Sequence, residues 1–233
     1  MADVVTVGDA GVLSVLLRRA DGGFGPATSY AAQRGNLQLA DLNGDGLPDI
    51  VTQWNLDVSV LLNRGDGTFD DGGVYATTME CAPVLLADFN GDGLPDMAAA
   101  HKYDAALELF PGRGDGTFAG AVVQPLVASQ AVAAGDLNGD GHTDLMTTQG
   151  RGVDVFLGNG DGTFRRGTDY LGSHPIDQLG IGDFDADGRL DVVVAHDGST
   201  PTGSDSVLTV LVGQGDGTFF VGLPVALDAP PRT

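Results

Sequence analysis

An acidic loop that recurs four times constrains the fold more than any other feature of this sequence. The nine-residue pattern Asp-x-Asn/Asp-x-Asp-Gly-x-x-Asp begins at Asp41, Asp88, Asp136 and Asp183, so the repeat is 47 or 48 residues long. A period of this length is typical of propeller blades and other repeat architectures, in which each unit is one supersecondary element. The chain is therefore expected to be an array of similar units.

A second string, Gly-Asp-Gly-Thr-Phe, follows each acidic loop. It begins at residues 65, 114, 160 and 215, and a weaker copy, Ala-Asp-Gly-Gly-Phe, begins at residue 20. Residues 3–5 align with residues 49–51, so the first unit starts in mid-repeat and lacks an acidic loop. We therefore predict one domain over 1–233, with units at about 1–34 (partial), 35–82, 83–130, 131–177 and 178–233.

Short β-branched segments lie between these turns. In the second unit they cover residues 37–42, 49–54, 58–63 and 69–77, and their partial alternation indicates β-strands. No stretch combines a helical period with caps. Four antiparallel strands per unit predict an all-β fold, namely a β-propeller of four-stranded antiparallel blades with about five units and a truncated first blade.

The acidic loops are candidate metal sites because they place oxygen donors at fixed offsets. Positions 1, 3, 5 and 9 carry Asp or Asn, and position 7 can add its backbone carbonyl. Such ligands suit Ca²⁺ better than Mg²⁺, which prefers a near-ideal octahedron, and they lack the sulfur or histidine that zinc favours. We expect about four Ca²⁺ ions per chain, held by Asp41, Asn43, Asp45, Leu47 and Asp49; Asp88, Asn90, Asp92, Leu94 and Asp96; Asp136, Asn138, Asp140, His142 and Asp144; and Asp183, Asp185, Asp187, Arg189 and Asp191.

The loop pattern is also partly compatible with an EF-hand and with a metal-free turn. An EF-hand shares the first six positions but needs Glu at position 12, where this chain has Thr52, Ala99, Thr147 and Val194. A metal-free Asx turn remains the alternative, although four copies with the same donors exceed what a hairpin turn requires. The Gly-Asp-Gly-Thr-Phe string is predicted to be a tight turn without a ligand, its Phe packing between blades.

The composition of the chain limits the classes of partner that it can bind. The chain has 32 acidic and 11 basic residues and a formal charge of −21, which repels nucleic acids and anionic membrane surfaces. The single cysteine, Cys81, excludes an intramolecular disulfide. No apolar run is long enough for a spanning helix, and no secretory signal segment follows Met1.

These motifs make the chain resemble the FG-GAP/VCBS repeat family, whose calcium-loop blades also occur in the integrin α-subunit propeller. The resemblance covers essentially the whole chain. It implies Ca²⁺ in the loop joining the first two strands of each blade, and roles in adhesion or recognition outside the cell or at its surface. Such propellers commonly have seven blades, so the chain is expected to be a fragment of a larger propeller, an unusual small one, or part of an assembly that pairs with another copy.

The face opposite the calcium loops is the candidate recognition surface, because polar and aromatic loop residues over a rigid scaffold suit ligand binding. Its expected members are Arg34, Trp54, Glu80, His101, Tyr103, Gln149, Arg151, His174 and His196. The histidines accompany no nucleophile motif, so we predict a non-enzymatic module that binds protein or glycan. A purely structural repeat and an enzyme using this face are the alternatives. Residues 197–205 are predicted to be an exposed insertion.

Overall fold

The computed structural model describes residues 3–8, 11–31, 35–81, 83–172, 175–196, 207–222 and 225–226. Across these residues the chain forms twenty β-strands and no helix, so no described segment is an apolar helix that could span a bilayer. Arg34, His174 and the predicted insertion at 197–205 lie outside the described residues.

The strands form five antiparallel sheets in chain order, each of which we call a blade. Blade one contains β1 (Val4–Gly8), β2 (Val12–Leu16) and β3 (Thr28–Ala31); blade two contains β4 (Asn36–Ala40), β5 (Asp49–Trp54), β6 (Asp57–Asn63) and β7 (Phe69–Ala76); blade three contains β8 (Leu85–Ala87), β9 (Asp96–Ala100), β10 (Ala106–Phe110) and β11 (Val122–Pro125); blade four contains β12 (Val132–Gly135), β13 (Asp144–Gln149), β14 (Gly152–Gly158) and β15 (Phe164–Leu171); and blade five contains β16 (Ile176–Gly182), β17 (Asp191–His196), β18 (Val207–Gly213), β19 (Phe219–Val221) and β20 (Val225–Ala226).

Each complete blade is an up-and-down meander, and the first strands β4, β8, β12 and β16 contact one another in sequence along the chain. In the part of the chain that the structure describes, blade one has three strands and no counterpart of these first strands. In blade five, β19 and β20 both pair with β18, so two short strands together occupy the fourth place. The predicted all-β, propeller-like repeat with a truncated first blade is confirmed.

The hydrophobic core lies between the blades. Leu13 and Val15 of blade one pack with Ile50 and Leu61 of blade two, whereas Val51 of blade two packs in a separate cluster with residues of blade three. Successive side chains of a strand point to opposite faces of its sheet, so β5 supplies apolar side chains to two junctions. Its burial on both faces explains why the strand is a nearly continuous buried run.

Candidate calcium loops and recognition face

Each acidic loop joins the first and second strands of its blade. In the loop after β4, Gly44 and Gly46 have φ angles of 73° and 83°, the left-handed conformation that glycine adopts without steric cost. Ala186 holds the same conformation, with φ of 63°, in the loop of blade five. These turns fold the chain back on itself, so that side chains from positions 1, 3 and 5 converge.

Backbone N–H groups orient the converging side chains. Asp41 Oδ1 accepts a hydrogen bond from the N–H of Gly44 at 2.8 Å, and Asp41 Oδ2 accepts one from Gly46 at 2.8 Å. Asp45 Oδ1 accepts from the N–H of Leu47 at 2.8 Å. The loops of blades three and four repeat all three bonds. The carboxylates are therefore placed by the loop itself.

Blade five carries the most acidic of the four loops. Carboxylate oxygens of Asp183, Asp185 and Asp187 all lie within 4.8 Å of one another, and all three residues are exposed. Three hard oxygen donors at this spacing fit a calcium ion, which takes six to eight such ligands. In the other three loops Asn stands at position 3, so two carboxylates and one amide oxygen occupy the corresponding places.

The aspartate at position 9 is fully buried in all four loops. Asp49 Oδ2 accepts from the N–H of Leu42 at 2.9 Å, and Asp49 Oδ1 accepts from the N–H of Asn63 at 2.7 Å. This carboxylate ties the loop to the third strand of its blade. A carboxylate has about four lone-pair sites, so these two bonds leave acceptor capacity at position 9.

Burial raises the pKa of the position 9 carboxyls of Asp96 and Asp144. In Asp96 the N–H groups of Gly112 and Phe89 oppose this rise, while the nearby charge of Asp92 adds to it. Like charges gathered in one loop disfavour ionisation, and a bound cation would favour it. The electrostatics of the loop thus suit a cation ligand.

The loops also contact the next blade, a feature that the repeat pattern did not indicate. Leu42, at position 2, is 3% exposed, and its carbonyl accepts the N–H of Gly116 in blade three at 3.2 Å. The same bond joins Phe89 to Gly162 at 3.0 Å and Leu137 to Gly217 at 3.2 Å. The glycine in each pair is the second glycine of the next blade's Gly-Asp-Gly-Thr-Phe string, so the two recurring strings meet across every junction that has a loop.

The Gly-Asp-Gly-Thr-Phe string forms a turn closed by its own side chains. Asp66 Oδ1 accepts from the N–H of Thr68 at 2.9 Å and from its hydroxyl at 2.6 Å. These bonds, the hydroxyl first, lower the pKa of Asp66. The side chain at position 7 of the acidic loop covers the first glycine of this turn, and in blade four that side chain is the His142 ring against Gly160. The His142 ring therefore lies against the turn of its own blade.

A tyrosine in the preceding blade binds the phenylalanine of the turn. The N–H of Phe118 donates to the Tyr75 hydroxyl at 3.1 Å, and the two rings meet edge to face with centroids 5.3 Å apart. The pairs Tyr30–Phe69 and Tyr170–Phe219 repeat both contacts. Each tyrosine follows its own blade's phenylalanine by six residues, which is the sequence signal for this contact.

The recognition residues fall into two groups. Trp54 and Tyr103 are 43% and 75% exposed, and Gln149 and Arg151 are also exposed. His101 and His196 are 3% and 8% exposed, so the expectation that they form part of an exposed surface is wrong. His101 directly follows β9 and His196 ends β17, and both strands are largely buried along their length.

Each buried histidine faces a polar partner on the next strand of its blade. His101 Nε2 lies 3.3 Å from Glu108 Oε1, and His196 Nε2 lies 3.0 Å from Thr209 Oγ1. Glu108 in turn accepts hydrogen bonds from the backbone N–H and the hydroxyl of Thr78. A cavity of about 280 Å³ between blades four and five is lined by His196 and Thr209, together with exposed Arg151.

The fold is shared with several solved structures. A lectin of Agrocybe aegerita that recognises non-reducing terminal N-acetylglucosamine is 23% identical, with a TM-score of 0.62 over 96% of this chain and 65% of the lectin. The V. cholerae biofilm matrix protein Bap1 is 20% identical, with a TM-score of 0.59 over 96% of this chain and 35% of Bap1. Saccharomyces cerevisiae Sqt1 is 10% identical, with a TM-score of 0.64 over 99% of this chain and 60% of Sqt1.

At these identities the likeness shows the fold alone, and this chain spans less than two thirds of each of the three structures. A search of curated proteins found no match. The model of the FG-GAP-like repeat matches four overlapping segments, residues 1–52, 41–99, 88–147 and 136–194. Every segment contains at least one acidic loop, and together they cover most of the sequence. The chain therefore belongs to the FG-GAP-like repeat family.

Proposed function

We propose that this chain is a calcium-stabilised recognition module that binds a glycan or a protein outside the cell and has no enzymatic activity of its own. The observation that carries the proposal is the convergence of Asp183, Asp185 and Asp187 in a loop that recurs, with the same offsets, in four blades. A non-binding turn would need only one of these carboxylates. Their mutual repulsion is relieved by a cation.

The calcium ligands in this proposal are the side chains at positions 1, 3, 5 and 9 and the backbone carbonyl at position 7 of each loop. The contact between loop and next blade gives the metal a structural role: ordering the loop also orders its buried position 2 residue, such as Phe89, which is 1% exposed. Binding to the native state alone stabilises it, by about 2.7 kcal/mol per site when free Ca²⁺ is 100 times the dissociation constant.

Metal analysis and thermal unfolding test the calcium proposal. We expect four Ca²⁺ ions per chain and a melting temperature that falls in EDTA. Asp92→Ala should leave three ions, because the loops lie in separate blades. Asp115→Ala is the matched control, since Asp115 is an exposed acid of the same blade that its own Thr117 already satisfies. Equal melting temperatures with and without EDTA, and no bound calcium, would contradict the proposal.

Recognition is supported by the exposed residues at the end of the blades opposite the loops. Trp54 and Tyr103 present large aromatic surfaces there, and Arg151 borders the cavity between blades four and five. A lectin and a biofilm matrix protein have the same fold, so we favour the hypothesis of a binding role outside the cell. A glycan array probed with the calcium-loaded protein tests whether the ligand is a glycan. If no glycan binds while calcium binding is retained, a protein ligand or a purely structural role would be favoured.

The non-enzymatic part of the proposal is supported by the repeat family, whose matching segments cover most of the chain. Among the described residues both histidines of the expected recognition face are buried: His101 faces Glu108, and His196 faces Thr209 in the wall of the cavity that Arg151 also lines. Turnover of a glycoside or ester that is lost on replacing either histidine, with folding retained, would overturn this part of the proposal.

The proposed assembly includes a further blade, from a second copy or from additional sequence. Phe184 of blade five is 56% exposed, whereas its counterparts Leu42, Phe89 and Leu137 are each at most 3% exposed because the next blade covers them. Because the equivalent residue packs against the next blade at three junctions, we infer that a further blade packs against Phe184. Light scattering at several concentrations separates self-association from a monomer.

A further inference from the structure

We propose that a cavity at the centre of the recognition face binds one uncharged sugar ring, with Trp54 as its stacking surface. The inference rests on the proposed recognition function, because it names a ligand class and a site for it. The cavity measures about 350 Å³ and takes its walls from blades two to five. Its volume is within the range of small-molecule sites.

The position of the cavity follows from the blade topology. Asn36 and Val132 stand at the beginnings of the first strands β4 and β12, and Trp54 ends β5. Because the calcium loops lie at the other end of these strands, the cavity lies opposite them. Four blades converge at this point, so their end residues surround a common space that is not assigned to the metal.

Trp54 is held as a wall of the cavity by the backbone beside it. Gly35 has a φ angle of 117°, and a Cβ atom placed on it would lie 3.1 Å from the Trp54 ring and 2.6 Å from the Gln53 carbonyl oxygen. Only glycine allows this close approach. The ring is nevertheless 43% exposed. A partly exposed aromatic ring in the wall of a cavity suits the apolar face of a sugar.

Gln53 supplies an unsatisfied polar atom in the same wall. The residue is 5% exposed, and its Oε1 has no hydrogen-bond partner among the described residues. A buried acceptor without a partner costs free energy, and such a group calls for a physical explanation. A hydroxyl of a bound sugar, reaching Gln53 directly or through one water, would satisfy it.

The charges around the cavity favour an uncharged ligand. Its charged lining residues are Glu80 and Lys102, whose Oε1 and Nζ atoms form an ion pair at 2.8 Å. The pair cancels in net charge and leaves neither group free to select an ion. The remaining polar lining consists of amide side chains, which both donate and accept hydrogen bonds as sugar hydroxyls do; these are Asn36, Gln53, Asn55, Gln130 and Gln178.

Tryptophan fluorescence reports on ligand binding in the cavity, because Trp54 is the only tryptophan in the chain. The calcium-loaded protein is titrated with glucose, galactose, mannose, fucose and N-acetylglucosamine, and with charged glucuronic acid and glucosamine. We expect a saturable change in emission with at least one uncharged sugar, with a dissociation constant on the order of 1 mM for a ligand of this size. The charged sugars should bind at least tenfold more weakly.

Two variants separate binding from folding. Gln53→Leu keeps the volume and removes the acceptor, so it should weaken sugar binding at least tenfold while the melting temperature stays the same or rises. Phe220→Ala removes an exposed aromatic residue that does not line the cavity and should leave the titration unchanged.

The outcomes distinguish this inference from the function on which it rests. No emission change with any sugar, equal response to charged and uncharged sugars, or unaltered binding in Gln53→Leu would each overturn the cavity assignment. If the glycan array is still positive in those cases, the recognition function stands and its site lies elsewhere on the chain.

Discussion

Position 2 of the acidic loop occupies two opposite environments in this chain. Phe89 is 1% exposed in the junction between blades three and four, where its ring meets Phe164 edge to face at 6.0 Å. Phe184, at the same position of blade five, is 56% exposed. Truncation to alanine removes the same atoms from both. The difference between the two variants therefore measures what the covering blade contributes.

The expected losses differ several-fold. Phe89→Ala deletes a buried ring from a packed junction, which costs about 3–5 kcal/mol of unfolding free energy. For a chain of this size, that loss lowers the melting temperature by about 6–20 °C. Phe184→Ala removes a ring that is already half in water, so its loss should be about 1 kcal/mol or less.

Urea unfolding followed by far-ultraviolet circular dichroism, in saturating Ca²⁺ and at two protein concentrations, compares the variants. Equal losses for Phe89→Ala and Phe184→Ala at the lower concentration would refute the reasoning, because they would mean that a blade of the same chain covers Phe184. A Phe184→Ala loss that grows with concentration would instead identify a second copy as the cover.

Two further predictions concern the turns between blades. Tyr75→Phe should destabilise the protein by about 1–3 kcal/mol, because the N–H of Phe118 loses its acceptor at 3.1 Å; thermal unfolding measures this, and Tyr103→Phe, at an exposed site, should have no effect. The second prediction concerns stability in acid. The pKa of Asp66 is lowered in the folded state. The Asp66 carboxylate therefore stabilises the folded protein above the unfolded pKa of about 4, and this stabilisation is lost as the pH falls through the folded pKa. Melting temperatures measured from pH 2 to 7 should fall less steeply on the acid side in Thr68→Val, and an unchanged slope would contradict this.

The sequence allowed the repeat, the four strands of blades two to four and the loop positions to be predicted because those features are local. A turn such as 41–49 contains its own glycines and acceptors, and alternation within a strand spans few residues. The contacts of Tyr75 with Phe118 and of Leu42 with Gly116 could not be read in the same way. Each joins residues from neighbouring repeats, and aligning repeats compares equivalent positions without saying which of them touch.

The histidines of the expected recognition face illustrate a different limit. The prediction placed His101 and His196 at one end of the blades, which is where their strands end. It assumed that a strand end is exposed, as it is in Trp54 and Gln149. Whether the side chain at that end points outward depends on the neighbouring blade and on a partner such as Glu108, and neither can be inferred from one repeat.

The bonds across the junctions imply that calcium bound in one loop affects the blade that follows it. The loops of blades two, three and four each accept an N–H from the blade that follows, at Gly116, Gly162 and Gly217. Blade one, which has no acidic loop, precedes Gly67. If calcium orders the loops, its removal should speed amide hydrogen exchange at the first three glycines, because exchange requires local opening of the bond. Gly67 has the same place in its turn and should respond least, so it serves as an internal control. Nuclear magnetic resonance exchange rates with Ca²⁺ and with EDTA measure all four. Equal acceleration at Gly67 would mean that calcium stabilises the blades as a whole and that the loop-to-turn bond has no special part in the effect.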